Sequence, residues 1–473
     1  MRAQLAVCSL LAALIVGPSG QRSAGRAANS TPNDLFRLTN IANVQLEFTK
    51  SDYEALAPRG GGGWFGSGGG SAQSWLQGPE GKRNGFAASR GVQFSYVHGS
   101  VTINGQTLKD VGVRYKGNGT YFEGAAKGKV SLKLDFAEYV KGQKLGTLKK
   151  LNLHSNITDA SLMNEVLAFQ LFRDAGVPAP RTSYARVYVT VQGQKQQAYA
   201  GLFSIVENPD EQFVAARGLP SGAIFKPVVS QLFADLGPDW KRYNQTYDPK
   251  TTLTDAHKQR VIDFARLVSG GTDAQFAARV GEFLDLEETA RYLAVVVFLS
   301  DMDGLLGPGQ NYYLYLDQRS NKFGFVPWDL DAAWGNFWVG SKAEQQQSSI
   351  WRPWVGENRF LERVMVVEEF RRIYRAHLED FMARLYVPER LNRRIDTIAA
   401  AIREPIAAES PYRLDKFDQA VGLKPVAPWK WWDVLDFPAS DLKQFIAGRA
   451  RSVRSQLAGE SQGILLKHPK LLW

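Results

Sequence analysis

Acidic and amide side chains concentrate in one short stretch of the C-terminal half of the chain. Asp301 and Asp303 follow an apolar run, and Asn311, Asp329 and Asp331 stand at the two ends of a segment rich in aromatic residues. Carboxylate and amide oxygens are the ligands that a hard cation such as Mg²⁺ prefers, and this ion keeps several waters for phosphate substrates. Metal-dependent phosphate chemistry is therefore the first hypothesis for this stretch. The alternative is that polar residues simply gather where a hairpin ends.

The spacing within this stretch predicts how its ends meet. Two runs of alternating apolar and aromatic residues, 311–316 and 322–326, flank the polar segment 317–321. This pattern predicts an antiparallel hairpin. A turn centred in the polar segment pairs Asn311 with Trp328, within one or two positions of register. The hairpin would bring the candidate ligands together beside the incoming loop.

The composition is that of an ordinary globular protein. The chain has 473 residues, of which 44% are hydrophobic and 12% aromatic, enough for one large domain or for two or three smaller ones. Its formal charge of +10 and pI near 9.4 permit binding to anions, acidic surfaces or nucleotides. The basic residues are spread along the chain without interleaved aromatic residues, so the sequence does not indicate a nucleic-acid partner.

The first residues have the pattern of a secretory signal peptide. An apolar run at 5–16 is too short for a permanent membrane span, and no later run is long enough for one. We expect residues 1–28 to contain this signal and the start of a linker, which continues over residues 29–42. The mature protein is therefore expected to be secreted, extracellular or periplasmic. Cys8 is the only cysteine, so cleavage would exclude disulfides, zinc thiolates and a cysteine nucleophile.

Two glycine-rich segments precede the middle of the chain. Residues 59–70, RGGGGWFGSGGG, favour a surface loop over a phosphate cradle, because no strand leads into them and no Lys-Ser or Lys-Thr pair follows. The second segment, Lys116-Gly117-Asn118-Gly119, ends a predicted hairpin over 101–116 whose turn is Asn104-Gly105. Glycines in this segment allow backbone amides to approach an anion closely.

A strand and a helix are predicted after this loop. The strand at 129–136 carries Lys133, which could reach phosphates under the glycine loop or could be an ordinary exposed lysine. The helix at 159–175 is predicted by an Asp at its start, an apolar face and Gly-Val-Pro at its end. Glu165 interrupts the apolar face, so it either pairs with Lys133 or is solvated.

Further elements lead the chain to the acidic stretch. A hairpin closes on Glu207, and a short apolar run precedes Lys226. Residues 284–300 predict an apolar helix with Asp285 and Glu288 as its capping pair. This helix would deliver the chain into the loop that contains the first two aspartates.

Beyond residue 338 the sequence predicts mostly helices, followed by an exposed tail at 458–473. The main helical segments are 368–385, 388–402 and 439–457. We interpret the arginines of the last segment as a charged, solvated face: Arg449, Arg451 and Arg454.

Six segments occur in an order that resembles a known family. They are VGVRYKGNGTY, LNLHSNITDASLMNEVLAFQLFRDAGVPAPRTSYARVYV, GLFSIVEN, IFKP, NYYLYLDQRSNKFGFVPWDLDAAWG and FIAGRARSVRSQL. In this order they resemble the spore-coat protein H (CotH) kinase family over about residues 43–457. The part from NYYLY to PWDLD is the most specific.

The resemblance implies an α+β, atypical protein-kinase-like fold. It implies a strand-rich N-terminal lobe at about 43–208 and a helix-rich C-terminal lobe at about 209–457. It also implies an enzyme that transfers phosphate from ATP to Ser or Thr of a protein substrate with Mg²⁺ or Mn²⁺, and such chemistry depends mainly on positioning and charge neutralisation.

Roles for single residues follow from the same resemblance. Asp303 resembles the base that takes the hydroxyl proton, and Asn311 and Asp329 resemble the metal ligands, with Asp331 beside them. Lys133 resembles the strand lysine, and Glu165 resembles its partner on the helix. Glu207 would lie near the adenine-binding connection, and Lys226 is a further cofactor-binding candidate. The phosphate-covering loop is implied for four consecutive residues: Lys116, Gly117, Asn118 and Gly119.

Some positions depart from the family's pattern. The base and the metal-binding Asn are eight residues apart, more than is usual, with Gly307-Pro308-Gly309 between them. Asp301 is therefore a rival for the base. Asn164 stands where Arg is usual, and Gly119 stands where Ser is common.

Two other functions stay open from the sequence. One is a catalytically inactive, kinase-like surface-structural or adhesion protein. The other is a metal-dependent phosphoesterase, which would need further ligands such as histidines, and none of the five His lies near Asp329 in the sequence. The kinase hypothesis requires Asp303 or Asp301 to come within reach of a metal shared by Asn311 and Asp329.

Overall fold

A computed structural model of the chain describes residues 35–58, 76–78, 84–219, 221–428 and 439–467. The predicted signal peptide and the glycine-rich segment 59–70 lie outside the described residues, as do parts of the predicted linker and tail. Within these described ranges, no helix is both long enough and apolar enough to cross a membrane.

Strands of the N-terminal half close into a barrel. They are β1 (Ala42–Phe48), β2 (Val97–Ile103), β3 (Gln106–Tyr115), β4 (Leu132–Asp135), β5 (Lys150–His154), β6 (Thr182–Val191) and β7 (Lys195–Glu207). The order around the barrel is β1-β2-β3-β4-β5-β7-β6, and β6 closes it by pairing in parallel with β1. Because side chains alternate between the two faces of a strand, Val44 and Leu46 of β1 are fully buried inside.

Helices lie between these strands and dominate the rest of the chain. The N-terminal half contains α1 (Lys50–Ala55), α2 (Phe86–Ser89), α3 (Gly119–Ala126) and α4 (Asn164–Asp174). The chain after β7 contains α5 (Glu211–Ala216), α6 (Lys241–Tyr247), α7 (Asp255–Gly270), α8 (Asp273–Phe283), α9 (Leu286–Leu299), α10 (Lys342–Gln346), α11 (Arg359–Val366), α12 (Glu368–Arg384), α13 (Pro388–Glu409), α14 (Pro411–Ala420) and α15 (Leu442–Leu457). The protein is therefore a mixed α+β protein with a strand-rich region and a helical region.

A small sheet inside the helical half carries the predicted hairpin. It consists of β8 (Ser221–Phe225), β9 (Tyr312–Asp317) and β10 (Phe323–Pro327) in the order β10-β9-β8. Tyr312 lies opposite Pro327, and the backbone amide of Trp328 donates to the Asn311 carbonyl at 3.2 Å. The hairpin and the pairing of Asn311 with Trp328 are thus confirmed.

Local sequence signals at two other places are also confirmed. Asn104 and Gly105 have φ of 48° and 85° and join β2 to β3, as expected of a tight hairpin turn. Asp285 caps α9 by accepting a hydrogen bond from the Glu288 amide at 3.0 Å. The other half of the predicted capping pair is absent, because the Glu288 carboxylate accepts from the Phe325 amide instead of from the backbone of Asp285.

The start of α4 was predicted five residues too early. Its first helical residue is Asn164, because the carboxylate of Asp159 stabilises a turn before the helix. Asp159 accepts from the backbone amides of Ser161 and Asn164, each at 2.8 Å. Asp can satisfy backbone amides in a turn as well as at a helix cap, and sequence alone does not distinguish the two.

The arginine face of α15 was only partly predicted. Arg451 and Arg454 are exposed, whereas Arg449 is fully buried, so the interpretation of Arg449 as solvated was wrong. Its guanidinium donates to the carbonyl oxygens of Val297, Gln346 and Ser348. The helix that precedes the acidic loop is therefore fixed to the last helix of the chain.

Helix α13 connects the helical half to the barrel. Lys129, in the loop after α3, donates to both carboxylate oxygens of Glu409 at 2.9 and 2.7 Å. The same Glu409 accepts from the Leu202 amide of β7 at 3.0 Å. Lys129 is buried and Glu409 is partly buried, and the backbone contact with Leu202 compensates part of the cost of removing the pair from water.

The carboxyl of Glu288 is expected to make the stability of the protein depend on pH. Burial raises the pKa of this carboxyl to about 8, although the Phe325 amide donates to it at 3.2 Å. A carboxyl with a raised pKa binds its proton more tightly when folded, so this contribution to stability is complete below the unfolded pKa and is lost as the pH rises to about 8. We expect Glu288→Gln to match the wild-type Tm near pH 4.5 and to exceed it at pH 8, since each pKa unit is worth about 1.4 kcal/mol.

Thermal unfolding of Glu288→Gln, measured from pH 4.5 to pH 8.5, tests this expectation. The control is Glu369→Gln, an exposed glutamate on α12. A Tm difference for Glu288→Gln that stays constant with pH, or that moves like the control, would contradict the assignment.

Candidate functional site

The acidic loop begins where α9 ends. Ser300 has a left-handed backbone with φ of 49°, and its hydroxyl donates to the Gln345 carbonyl at 2.9 Å, which turns the chain sharply after the helix. Asp303 follows three residues later. The Nδ2 of Asn311 donates to its Oδ2 at 2.9 Å, and Nε2 of Gln310 donates to its Oδ1 at 2.9 Å. Both carboxylate oxygens are therefore oriented by neighbouring amides.

The Gly307-Pro308-Gly309 insertion does not separate these residues. The chain folds back so that the Val229 amide donates to the Gly309 carbonyl at 2.9 Å. A Cβ at Gly309 would lie 1.9 Å from the Val229 oxygen, so only glycine fits this close approach. The extra residues form a compact loop against the segment after β8, and Asp303 still contacts Asn311.

Asp301 and Asp303 differ in accessibility. Asp301 is 3% exposed, and its Oδ1 has no hydrogen-bond partner among the described residues. Burial raises the pKa of Asp301 to about 7. Asp303 is partly exposed, and burial together with Asp331, Asp301 and Asp329 raises its pKa well above the usual range. Asp303 is thus the better placed of the two to meet a substrate from solvent.

Asn311 and Asp329 face each other across the open end of the hairpin, and both have left-handed backbones. Their φ values are 60° and 55°. Non-glycine residues in this region are uncommon, and such strain is often found at functional sites. Because Asn311 has donated its Nδ2 to Asp303, its Oδ1 is the atom that it can offer to a cation.

A second cluster approaches Asp329 from the barrel. Lys116 follows β3, His154 ends β5, and Glu165 lies in the first turn of α4. Nδ1 of His154 is 2.7 Å from Oε2 of Glu165, and the Lys116 ammonium contacts Nε2 of His154. The ammonium also lies 4.9 Å from the centroid of the Trp328 ring, a cation–π distance.

The charges in this cluster favour an ionised Asp329. Burial alone would raise its pKa, but the positive charges of Lys116 and Lys226 outweigh that effect and hold the pKa of Asp329 below its usual value. Burial lowers the pKa of Lys116, and Asp329 and Glu165 oppose this shift. Burial and Asp329 raise the pKa of Glu165. Two lysines from different halves of the protein thus neutralise one carboxylate.

Three of these side chains also form a possible metal-binding set. His154, Glu165 and Asp329 each place one ligand atom within 4.8 Å of the others. The Lys116 ammonium contacts Nε2 of His154, the nitrogen on the side of the ring away from Glu165. The positive charge within this cluster is therefore that of the Lys116 ammonium.

The glycine loop leads into a helix. Gly117 has φ of 125°, and Asn118 precedes α3, whose first residue is Gly119. The Oδ1 of Asn118 is buried without a hydrogen-bond partner among the described residues. Amides at the start of a helix are suited to bind an anion. Lys116 directly precedes this loop in the same sequence motif, so the helix start and the lysine lie next to each other.

Comparison with known proteins identifies the family. The family model described as CotH kinase protein matches residues 113–453 of the 473. The chain belongs to the CotH kinase protein family. This CotH-family chain is 29% identical over 279 residues to the inner spore coat protein H of Bacillus subtilis (strain 168), and the match covers 57% of this chain and 73% of that protein.

One solved structure is also similar to part of this CotH-family chain. It is the Shewanella oneidensis MR-1 toxin–antitoxin complex of HipA, HipB and operator DNA, matched at 13% identity with a TM-score of 0.22. The match covers 66% of this chain and 57% of that chain. A TM-score this low carries no argument about the fold or function.

Both predictions for Glu165 in this CotH-family protein were wrong: it neither pairs with Lys133 nor lies in solvent. Lys133 donates to Oδ1 of Asn208 at 2.9 Å, near the end of β7. Glu165 is 2% exposed and contacts His154, which in turn contacts Lys116. The lysine connected to the α4 glutamate is therefore Lys116.

Asp331 and the residue at the usual Arg position are connected. Asn164 donates its Nδ2 to the Asp331 carbonyl at 3.0 Å, and Thr158 donates to Asp331 Oδ2 at 2.8 Å. Burial and Asp329 raise the pKa of Asp331 well above its usual range. Asn164 thus keeps α4 against the loop after Asp329, without the charge of an arginine.

The two remaining candidates have different surroundings. The Glu207 carboxylate is bonded to Arg181 at 2.8 Å and Arg217 at 2.6 Å, so its oxygens are engaged in ion pairs. Lys226 is 5.9 Å from the ring centroid of Tyr313, and burial lowers its pKa to about 8. The structure brings Lys226 near Asp329, whereas the Glu207 side chain is held by arginines at the end of β7.

Sequence reasoning missed His154 and Gln310. His154 lies in LNLHSN, a strand that ends shortly before a helix, and a histidine at such a strand end is a signal that could have been used. Gln310 precedes Asn311, and its role follows only from the fold of the loop.

Proposed function

We propose that this CotH-family protein is a secreted, metal-dependent protein kinase. It transfers the γ-phosphate of ATP to Ser or Thr hydroxyls of extracellular, periplasmic or surface proteins. The barrel half and the helical half act as the two lobes of an atypical protein-kinase-like fold. The observation that carries this proposal is the contact of Asp303 with Asn311 at the mouth of the hairpin that ends in Asp329.

The side chains at the hairpin mouth fit a divalent cation. Asn311 offers one amide oxygen, and Asp329 is favoured in its ionised form. Asp331, which is bonded to Thr158, is the third ligand candidate. Oxygen donors of this kind suit Mg²⁺ or Mn²⁺. When bound, such an ion neutralises the phosphate oxygens of ATP.

Asp303 acts as the base in this proposal. A carboxylate with a raised pKa is a stronger base, and burial and the neighbouring aspartates raise the pKa of Asp303. The amides of Gln310 and Asn311 fix its orientation toward an incoming hydroxyl. Fixed geometry of this kind is a large part of phosphoryl-transfer catalysis.

Lys116 and Lys226 supply positive charge on the nucleotide phosphates. Both are partly buried near Asp329, one from the barrel region and one from the helical region. Fixed charges in a site that excludes water stabilise developing negative charge more strongly than they would in solvent. This arrangement supports a kinase over a catalytically inactive adhesion protein, because an inactive protein has no need of two partly buried lysines that converge on one carboxylate.

The deciding experiment incubates the purified mature protein with labelled ATP, a generic Ser/Thr acceptor and Mg²⁺ or Mn²⁺. Asp329→Ala is assayed beside it, and both are assayed with excess EDTA. We expect label on the acceptor only with wild type and metal. Equal labelling by both proteins, or none by either, contradicts the proposed function.

A further inference from the structure

His154 is a buried imidazole that stands between two ionisable side chains. An ammonium group has only hydrogen-bond donors, so Nε2 of His154 must accept from Lys116. The proton of the neutral ring is then on Nδ1, which donates to Oε2 of Glu165 at 2.7 Å. These two hydrogen bonds define one tautomer and one orientation of the ring.

The ring lies between Lys116 and Glu165 and connects them. The Lys116 ammonium is held by His154 on one side and by the Trp328 ring on another. His154 also contacts Trp328 edge to face, with ring centroids 5.8 Å apart. Strand β5 and helix α4 thereby determine where the charge of Lys116 lies relative to Asp329.

We propose that His154 is a positioning residue that holds the Lys116 ammonium toward the nucleotide phosphates by linking it to Glu165. This inference rests on the proposed function for its nucleotide, but the link itself concerns residues of this chain alone. Among the described residues the contacts of His154 are with Lys116, Glu165 and Trp328, so its effect on the reaction would pass through Lys116.

Two substitutions separate the two hydrogen bonds from the volume of the ring. His154→Gln keeps an acceptor for Lys116 and a donor for Glu165 in one side chain, whereas His154→Leu keeps a similar volume and has neither. The control is His98→Leu, which removes an exposed histidine of β2 that is bonded to Asp110. Circular dichroism and thermal unfolding verify that each variant is folded.

The first measurement is equilibrium binding of ATP by calorimetry, with and without Mg²⁺, together with KM and kcat. We expect His154→Leu to weaken ATP binding and to raise the KM for ATP about tenfold or more, because it releases a phosphate-facing charge. His154→Gln should recover most of the affinity. A folded His154→Leu that binds ATP like wild type overturns the proposal, as does a His154→Gln that is no better than His154→Leu.

The second measurement needs no nucleotide. Acetic anhydride labels lysine amines, and mass spectrometry reports the rate at Lys116 relative to Lys226 in the same sample. We expect Lys116 to react several-fold faster in His154→Leu than in wild type, with His154→Gln close to wild type. An unchanged ratio overturns the proposal even if the protein proves not to bind ATP.

A calorimetric titration with Mn²⁺ alone addresses the metal alternative. If Mn²⁺ without nucleotide binds wild type but not His154→Leu, the His154, Glu165 and Asp329 set is a metal site and the positioning role is wrong. Transfer by wild type tests the proposed kinase activity separately. A wild type that binds ATP without transferring phosphate would refute the kinase proposal and leave the outcome for His154 to be judged from binding and labelling.

Discussion

Asp303→Asn is expected to lower phosphoryl transfer by about 10² to 10⁴-fold while ATP binding stays close to wild type. General base catalysis is worth about that much, and the amide of Asn cannot take a proton. The side chain keeps its size, and its oxygen can still accept from Gln310, which now donates to Asp303 at 2.9 Å. Binding of the nucleotide depends on other residues, so the loss should appear in kcat.

The matched variant is Asp301→Asn. Asp301 is buried, and its pKa is raised to about 7, so an uncharged amide is close to the form that its surroundings favour near neutral pH. We expect a loss of transfer of less than about tenfold, well below the effect of removing a general base. Single-turnover transfer of labelled phosphate and calorimetric ATP binding are measured for both variants. Unchanged transfer by Asp303→Asn with a large loss in Asp301→Asn would reverse the two roles.

The sequence predicts the hairpin and its register because the signals there are local. Alternating aromatic residues on both sides of a short polar turn allow few pairings, because the length of the turn determines which residues lie opposite each other. The observed pairing of Tyr312 with Pro327 is the one that the centre of the turn implies. The proximity of Asn311 to the residues after Pro327 therefore follows from the sequence alone.

The connection between Lys116 and Glu165 could not be derived in the same way. It depends on which strand of the barrel ends opposite the first turn of α4, and strand order is a long-range property. The side chain of a lysine in a strand can lie on either face of the sheet. The residue pattern of β4 does not reveal that Lys133 contacts Asn208. The sequence contains the necessary histidine, but its neighbours are determined only by the closure of the barrel.

The insertion before Asn311 had a smaller effect on the structure than the sequence suggested. From the sequence, three extra residues increase the distance between Asp303, the proposed base, and Asn311, the proposed metal ligand. In the structure they form a loop against Val229, and the direct contact of Asp303 with Asn311 is kept. Sequence distance therefore overestimated the effect of the insertion, because a compact loop adds chain length without moving its ends apart.

Arg449→Ala is expected to lower the free energy of unfolding by about 3 kcal/mol or more. The guanidinium donates to the Gln346 carbonyl at 3.1 Å, the Ser348 carbonyl at 2.6 Å and the Val297 carbonyl at 2.9 Å. Removing it leaves buried oxygens with fewer donors, at about 1–3 kcal/mol for each one left unsatisfied, and creates a cavity in a fully buried position.

The effect of Arg449→Ala should also reach the site, because Val297 lies in the last turn of α9, directly before the acidic loop. Arg451→Ala is the control, since Arg451 is an exposed arginine of the same helix. Urea unfolding of both variants gives the two free energies, and the transfer assay gives their activity at a temperature where both are folded. Surface substitutions usually change the free energy of unfolding by no more than about 0.5 kcal/mol. If the two variants differ by less than this, the three carbonyl contacts do not stabilise the fold, and α9 is held by its apolar packing alone.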